Sequence, residues 1–137
     1  SNQKNEPQCT LSIDKIASIK PGKHCFNIYG RVVSVENAEH TNKKGETIKQ
    51  VKGVIADESG AANFRLNVGE LADQAQNVKE GATIAFRNGK STVVDEHIVL
   101  EVDRFGKVTS EDAGKVESVK VDNNISNATW EKKAQQK

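Results

Sequence analysis

Apolar residues in this chain recur mostly at every second position, in segments rich in Val, Ile and Phe. That spacing predicts half-buried β-strands, whose successive side chains point to opposite faces. The clearest case is residues 53–66. There Val54-Ile55-Ala56-Asp57 and Ala61-Ala62-Asn63-Phe64-Arg65-Leu66 flank a polar Glu58-Ser59-Gly60, which reads as a short hairpin. The second arm places Phe64, Leu66 and Val68 on one face and Asn63, Arg65 and Asn67 on the other. Residues 25–35 form an earlier strand with Phe26, Ile28, Gly30 and Val32 inward. The alternation then slips at Val33 and Val35, which predicts a bent, bulged strand near Gly30.

The remaining segments are read the same way. Ile13, Ile16 and Ile19 recur every three residues before Pro21-Gly22, predicting a short helical or turn-like lead-in. Residues 36–47 read as a polar loop, and residues 48–57 as a second strand carrying Lys49 and Lys52. Asn67 followed by Glu70 resembles a capping box, and Leu71, Ala75 and Val78 fall at helical spacing, so a short helix is expected over 70–77. Residues 82–88 predict a fourth strand, and 91–94 with 98–102 a final hairpin, before Asp103-Arg104-Phe105-Gly106 closes the globular part. The order strand, strand, strand, helix, strand, strand, with a bent first strand, predicts an all-β five-stranded OB-fold barrel carrying a short helix between strands 3 and 4. Residues 1–11 are expected to be a disordered polar leader, 12–108 the barrel, and 109–137 a polar extension partly packed on it.

Composition changes this picture little. Lys and Arg total 20 against 19 Asp and Glu, a net charge of +1, which argues against a purely electrostatic nucleic-acid binder but allows a local basic face. Cys9 and Cys25 make a poor disulfide framework, and with His24, His40 and His97 they show no zinc spacing, so reduced thiols in an intracellular protein, nuclear or cytoplasmic, are expected. No apolar run has the length of a membrane span, and no signal peptide is visible. Asn124-Ile125-Ser126 and Asn127-Ala128-Thr129 match the glycosylation sequon, read here as chance occurrences in an Asn-rich tail.

The chemistry-bearing residues are mainly cationic. Tyr29, Arg31, Lys49, Lys52, Asn63, Arg65 and Arg87 occupy strand positions able to face away from the core, with Lys90 close behind Arg87. Single-strand binders need cations that track phosphates and flat groups on which bases stack, and a guanidinium can do both. Lys43-Lys44-Gly45 and Gly89-Lys90 fall in the loops that flank an OB groove. Asp95-Glu96-His97 reads as a polar hairpin tip, with too few convergent ligands for a metal. There is no nucleophile motif or phosphate-cradling loop, so neither catalysis nor a cofactor is expected. Phe105 and Trp130 are assigned to packing or to contact with a partner protein, the tail folding back around Trp130.

Together, Pro21-Gly22, Gly30-Arg31-Val32, Ala56-Asp57-Glu58-Ser59-Gly60 and Lys79-Glu80-Gly81 resemble the single-stranded-DNA-binding OB subunits of the SOSS DNA-damage complex. The chain more closely resembles a small plant and protist OB-fold family. It shares that family's Arg87-Asn88 strand end, its Asp103-Arg104-Phe105-Gly106 exit and its Asp122-Asn123-Asn124-Ile125-Ser126 tail motif, with an aromatic at the position of Trp130. The resemblance spans about residues 13–130 and implies binding of single-stranded DNA or RNA with low sequence preference. It departs from the SOSS pattern at Asn67, where those proteins carry a stacking aromatic. Val94-Asp95-Glu96 stands where both groups carry an aromatic followed by Lys-Gly. The alternative is an OB-fold protein–protein interaction module with weak or no nucleic-acid binding.

Overall fold

Phe26, Ile28, Val32, Ile55, Phe64, Leu66, Ile84, Phe86, Ile98 and Leu100 come from every major strand, and each is 1% exposed or less. Side chains on one face of so many strands can share a single core only if the sheet curls back on itself. The computed structural model, which describes residues 12–129, has that geometry. Its strands are β1 (His24–Thr41), β2 (Thr47–Ala56), β3 (Ala61–Asn67), β4 (Thr83–Val94), β5 (His97–Glu101) and β6 (Lys107–Ser110). The order is β1-β2-β3-β5-β4-β6, and β1 also pairs with β4, so five strands close into a ring with β6 added outside. Between β3 and β4 lie α1 (Val68–Leu71) and a 3₁₀ helix over Ala72–Asn77, burying Leu71 and Val78. This is the OB barrel that the element order predicts.

The bend in β1 is also where the sequence placed it. The β1–β2 register shifts between Val32 and Ser34. Gly30 and Gly53 permit the close approach around that bulge: a Cβ on Gly30 would run into the Ile55 side chain, and one on Gly53 into the Ser34 carbonyl. Three local expectations are corrected. Residues 36–47 are not a loop, because β1 and β2 run on as a paired arm to Thr41↔Thr47. Most arm residues are exposed, so no apolar alternation marks them, and backbone pairing alone extends the strands. Asn42 folds the remaining turn by accepting from the Lys44 and Glu46 amides, each at 2.9 Å. The helical segment begins at Val68 and is mostly 3₁₀. Finally, β4 is continuous through Asn88, whose φ of 56° marks the bend, and β6 adds a strand that the lone apolar Val108 could not signal.

The Asp57 carboxylate, 3% exposed, ties the chain's lead-in to the β2–β3 turn. One oxygen accepts from the Ile16 amide at 3.0 Å; the other accepts from the Ser59 amide (2.8 Å), the Ser59 hydroxyl (2.6 Å) and the Gly60 amide (3.2 Å). The Asp57 carbonyl accepts from Lys120 at 2.9 Å, which brings in the C-terminal segment. Lys15 forms an ion pair with Glu58 at the same corner.

The C-terminal segment then seals the weakest seam of the ring. Strands β3 and β5 run parallel, and only Asn63↔Val99 and Phe64↔Leu100 pair. Ser126 bridges the gap: its hydroxyl accepts from the Asn63 amide (2.8 Å) and donates to the Ile98 carbonyl (2.5 Å). The Asn124 amide donates to the Asn63 side-chain oxygen at 3.2 Å. His97 Nδ1 faces the carbonyls of Ser126 (2.7 Å) and Ala128 (3.1 Å), both acceptors only, so that nitrogen carries the proton. The first sequon is therefore occupied by seam contacts.

Cys25 is disulfide-bonded, not reduced as expected; the chain's other cysteine, Cys9, lies outside the described residues, as do the expected leader and Trp130. No helix among the described residues is long and apolar enough to cross a membrane.

Asp57→Ala should lower unfolding free energy by about 3 kcal/mol in urea denaturation, because it orphans the amides of Ile16, Ser59 and Gly60 at once, the first and last of them buried. A change below about 1 kcal/mol would show that the corner is held by packing instead.

Candidate functional site

The strand register assembles one charged row across the outside of the barrel. Glu36 of β1 lies opposite Lys52 of β2, and Lys52 opposite Arg65 of β3. Arg65 forms an ion pair with Glu101 of β5, whose register partner on β4 is Lys90. The row thus reads Glu36, Lys52, Arg65, Glu101, Lys90, with two like charges side by side and a carboxylate beyond each. A neutral row of Ser34, Val54, Asn63, Val99 and Thr92 runs beside it. Glu36, Lys52 and Arg65 of the first row and Ser34, Val54, Asn63 and Val99 of the second line a groove of about 410 Å³.

Arg65 is the most constrained cation in the groove. Its Nε donates to Glu101 Oε2 at 2.9 Å and its Nη2 donates to the same oxygen. Two bonds to one acceptor fix the guanidinium plane while largely cancelling its charge. Lys52 is exposed, so its ammonium carries the mobile positive charge of the groove. Arg65 also lines a second depression of about 290 Å³, together with Asn67, Lys90, Arg104 and Phe105.

The expected site residues therefore divide. Lys52, Asn63 and Arg65 share the groove. Lys90 stands at the far end of the charged row and pairs with Asp103 at 3.4 Å. Lys49 lies along the β1–β2 arm opposite Glu39, beside a separate depression that includes Gln50 and Val68. Tyr29, Arg31 and Arg87 form a different patch on β1 and β4. There the Arg87 guanidinium carbon is 5.3 Å and the Lys115 ammonium 4.9 Å from the Tyr29 ring centre. Arg87 pairs with Glu111 at 3.5 Å, and Arg31 donates to the Val116 carbonyl, so residues 111–116 cover part of this patch. Lys43 and Lys44 are exposed at the arm's turn.

Asp95 and Glu96 form a tight turn with φ of 53° and 74°. Among the described residues no group of three or more His, Cys, Asp or Glu is placed to hold a metal ion. Phe105 does not pack on the barrel; it is 72% exposed, with the Arg104 guanidinium carbon 5.1 Å from its ring centre.

Comparison with known families settles the affiliation of this barrel. Residues 19–110 match the family described as single-stranded DNA binding protein Ssb-like, OB fold. The chain belongs to this Ssb-like OB-fold family. No curated protein matches its sequence. Among solved structures, the Ssb-like chain is similar to a hypothetical protein from Arabidopsis thaliana, at 24% identity and a TM-score of 0.70, covering 92% of this chain and 90% of that one. It is also similar to a replication factor A related protein from Methanobacterium thermoautotrophicum, at 19% identity and a TM-score of 0.60, covering 74% and 93%. A replication protein A heterotrimer bound to single-stranded DNA matches at 17% identity and a TM-score of 0.65, over 79% of this chain and 27% of that chain. At these identities the likeness is one of fold.

Sequence reasoning missed Glu101, Glu111, Asp103 and Lys115, the partners that decide which cations are engaged. Each lies far along the chain from its partner or on another strand, so spacing alone could not reveal the pairs. Tyr29, the chain's sole tyrosine, reports directly on its own patch. Its phenol is held below the ordinary 10.0, chiefly by a hydrogen bond from Arg87; partial burial opposes this, and Lys115 adds to it. A depressed folded-state pKa stabilises the fold only at alkaline pH, and the contribution is lost as pH falls through that pKa. At neutral pH the phenol is protonated in both states and adds nothing. Ultraviolet titration of the Ssb-like chain should give a single phenolic transition below 10.0 that rises in Arg87→Ala; an unchanged transition would remove Arg87 as the cause.

Proposed function

We propose that this Ssb-like OB protein binds single-stranded DNA or RNA without catalysis and with little sequence preference, in the groove across β1, β2, β3 and β5. The observation that carries this reading is the in-register row that sets Lys52 and Arg65 side by side in that groove. Lys52 takes a backbone phosphate, with Lys90 at the far end of the row; Lys49, three residues before Lys52 on β2, falls on the other face of the strand and stands outside the track. Arg65, its plane fixed by Glu101, offers a flat face to a base, and Asn63 hydrogen-bonds base edges. Tyr29, Arg31 and Arg87 stand outside this track because residues 111–116 already engage them.

A second reading, docking of another protein, is favoured by the pairing of Arg65, Arg87 and Lys90 with Glu101, Glu111 and Asp103, which mutes the positive field. Titration of a labelled oligothymidylate or oligouridylate at low salt separates the two. The nucleic-acid reading expects a dissociation constant of roughly 1–100 μM that weakens steeply as salt displaces the released counterions. No binding at roughly tens of micromolar protein would overturn it in favour of protein docking.

Two substitutions test the row. Lys52→Ala should weaken binding and reduce the salt slope by about one. Glu101→Gln should tighten binding and steepen the slope, because the Arg65 charge is no longer neutralised. If both leave affinity and slope unchanged, the groove is not the binding surface.

A further inference from the structure

We infer that the second depression is a base-binding subsite continuous with the groove, and that Phe105 is its stacking ring; this rests on the nucleic-acid reading above. Continuity comes from Arg65, which lines both the groove and the depression and so forms their common wall. A strand leaving the groove past the fixed guanidinium enters the depression bounded by Asn67, Lys90 and Phe105.

The chemistry of the depression suits bases better than phosphates. Arg65 and Lys90 are matched by Glu101 and Asp103, so it offers polar edges and flat surfaces with little net positive charge. A phenylalanine that is 72% exposed leaves its apolar ring in water, an arrangement worth explaining when the ring stands beside polar groups at the rim of a depression. The ring is also preorganised. The Phe105 amide donates to the Asp103 carboxylate (2.9 Å), the Gly106 amide to the Asp103 carbonyl (2.9 Å), and the Asn88 amide to the Phe105 carbonyl (3.0 Å). A turn held at three points loses little freedom when a ligand arrives, so stacking energy appears in the affinity. Arg104 lies across the ring and adds a guanidinium to the same platform. The subsite thus supplies an aromatic face beside Asn67 and Lys90.

The test is anisotropy titration of the full chain with a labelled oligothymidylate of about a dozen nucleotides, long enough to bridge both depressions. Phe105→Ala and Phe105→Leu should bind about tenfold more weakly, whereas Phe105→Tyr should stay within about twofold, because stacking needs a π-face and not only apolar area. The salt slope should not change, unlike that of Lys52→Ala. The loss should shrink for oligonucleotides too short to reach past Arg65. Unchanged thermal melting of the variants keeps folding out of the comparison, since the side chain is exposed. If the wild-type chain binds and Lys52→Ala weakens it while Phe105→Ala does not, the subsite is overturned and the groove stands. If the wild-type chain does not bind at all, the groove reading fails and the subsite with it.

Discussion

A buried carboxylate holds the three parts of this molecule together. Asp57 sits at the corner where β2 turns into β3, and its side chain accepts from the lead-in at Ile16 and from Ser59 and Gly60 within its own turn. Its carbonyl receives Lys120 from the C-terminal segment. A charged group removed from water is tolerated only when its lone pairs are filled, and here amides and a hydroxyl fill them. The same contacts fix where the β2–β3 hairpin begins, and hence its register. Register matters because a slip by one residue would turn Phe64 and Leu66 out of the core and Arg65 into it.

Register is also the link from fold to proposed function. Lys52, Arg65, Glu101 and Lys90 come from β2, β3, β5 and β4 and meet in one row only because the ring closes with this pairing. The parallel β3–β5 contact that completes the row is short, and Ser126 bridges it from the C-terminal segment. The tail motif therefore has a structural role beside the groove: it holds in place the seam across which Arg65 meets Glu101. A chain with almost equal numbers of basic and acidic residues can in this way present a defined cationic step without a strongly basic surface.

The pairing of cations with carboxylates gives the groove a particular balance. In the proposed reading, the held Arg65 plane and the exposed ring of the neighbouring depression would serve stacking, which is tolerant of base identity, while Lys52 would supply the salt-sensitive component. The covered patch around Tyr29 belongs to a different surface, where Arg87 and Lys115 serve the ring and residues 111–116 lie across the strands. Cationic residues read from the sequence as one set are thus divided by the tertiary structure into engaged and available groups.

Local pattern determined what depends on near neighbours in the chain. Alternation at Phe64 and Leu66, the slip after Gly30, the turn at Asp57-Glu58-Ser59-Gly60 and the helical spacing around Leu71 each rest on forces acting within a few residues, so strands, bulge, turn and helix were legible and their order implied the barrel. The β1–β2 arm and β6 were not, because exposed strands are held by backbone pairing that leaves no apolar signature. Only the tertiary structure decided that Glu101 would neutralise Arg65, that Ser126 would bridge the barrel seam and that Glu111 would pair with Arg87. These depend on register and closure, which bring together residues separated by dozens of positions, and such contacts leave no trace in the spacing of a single chain.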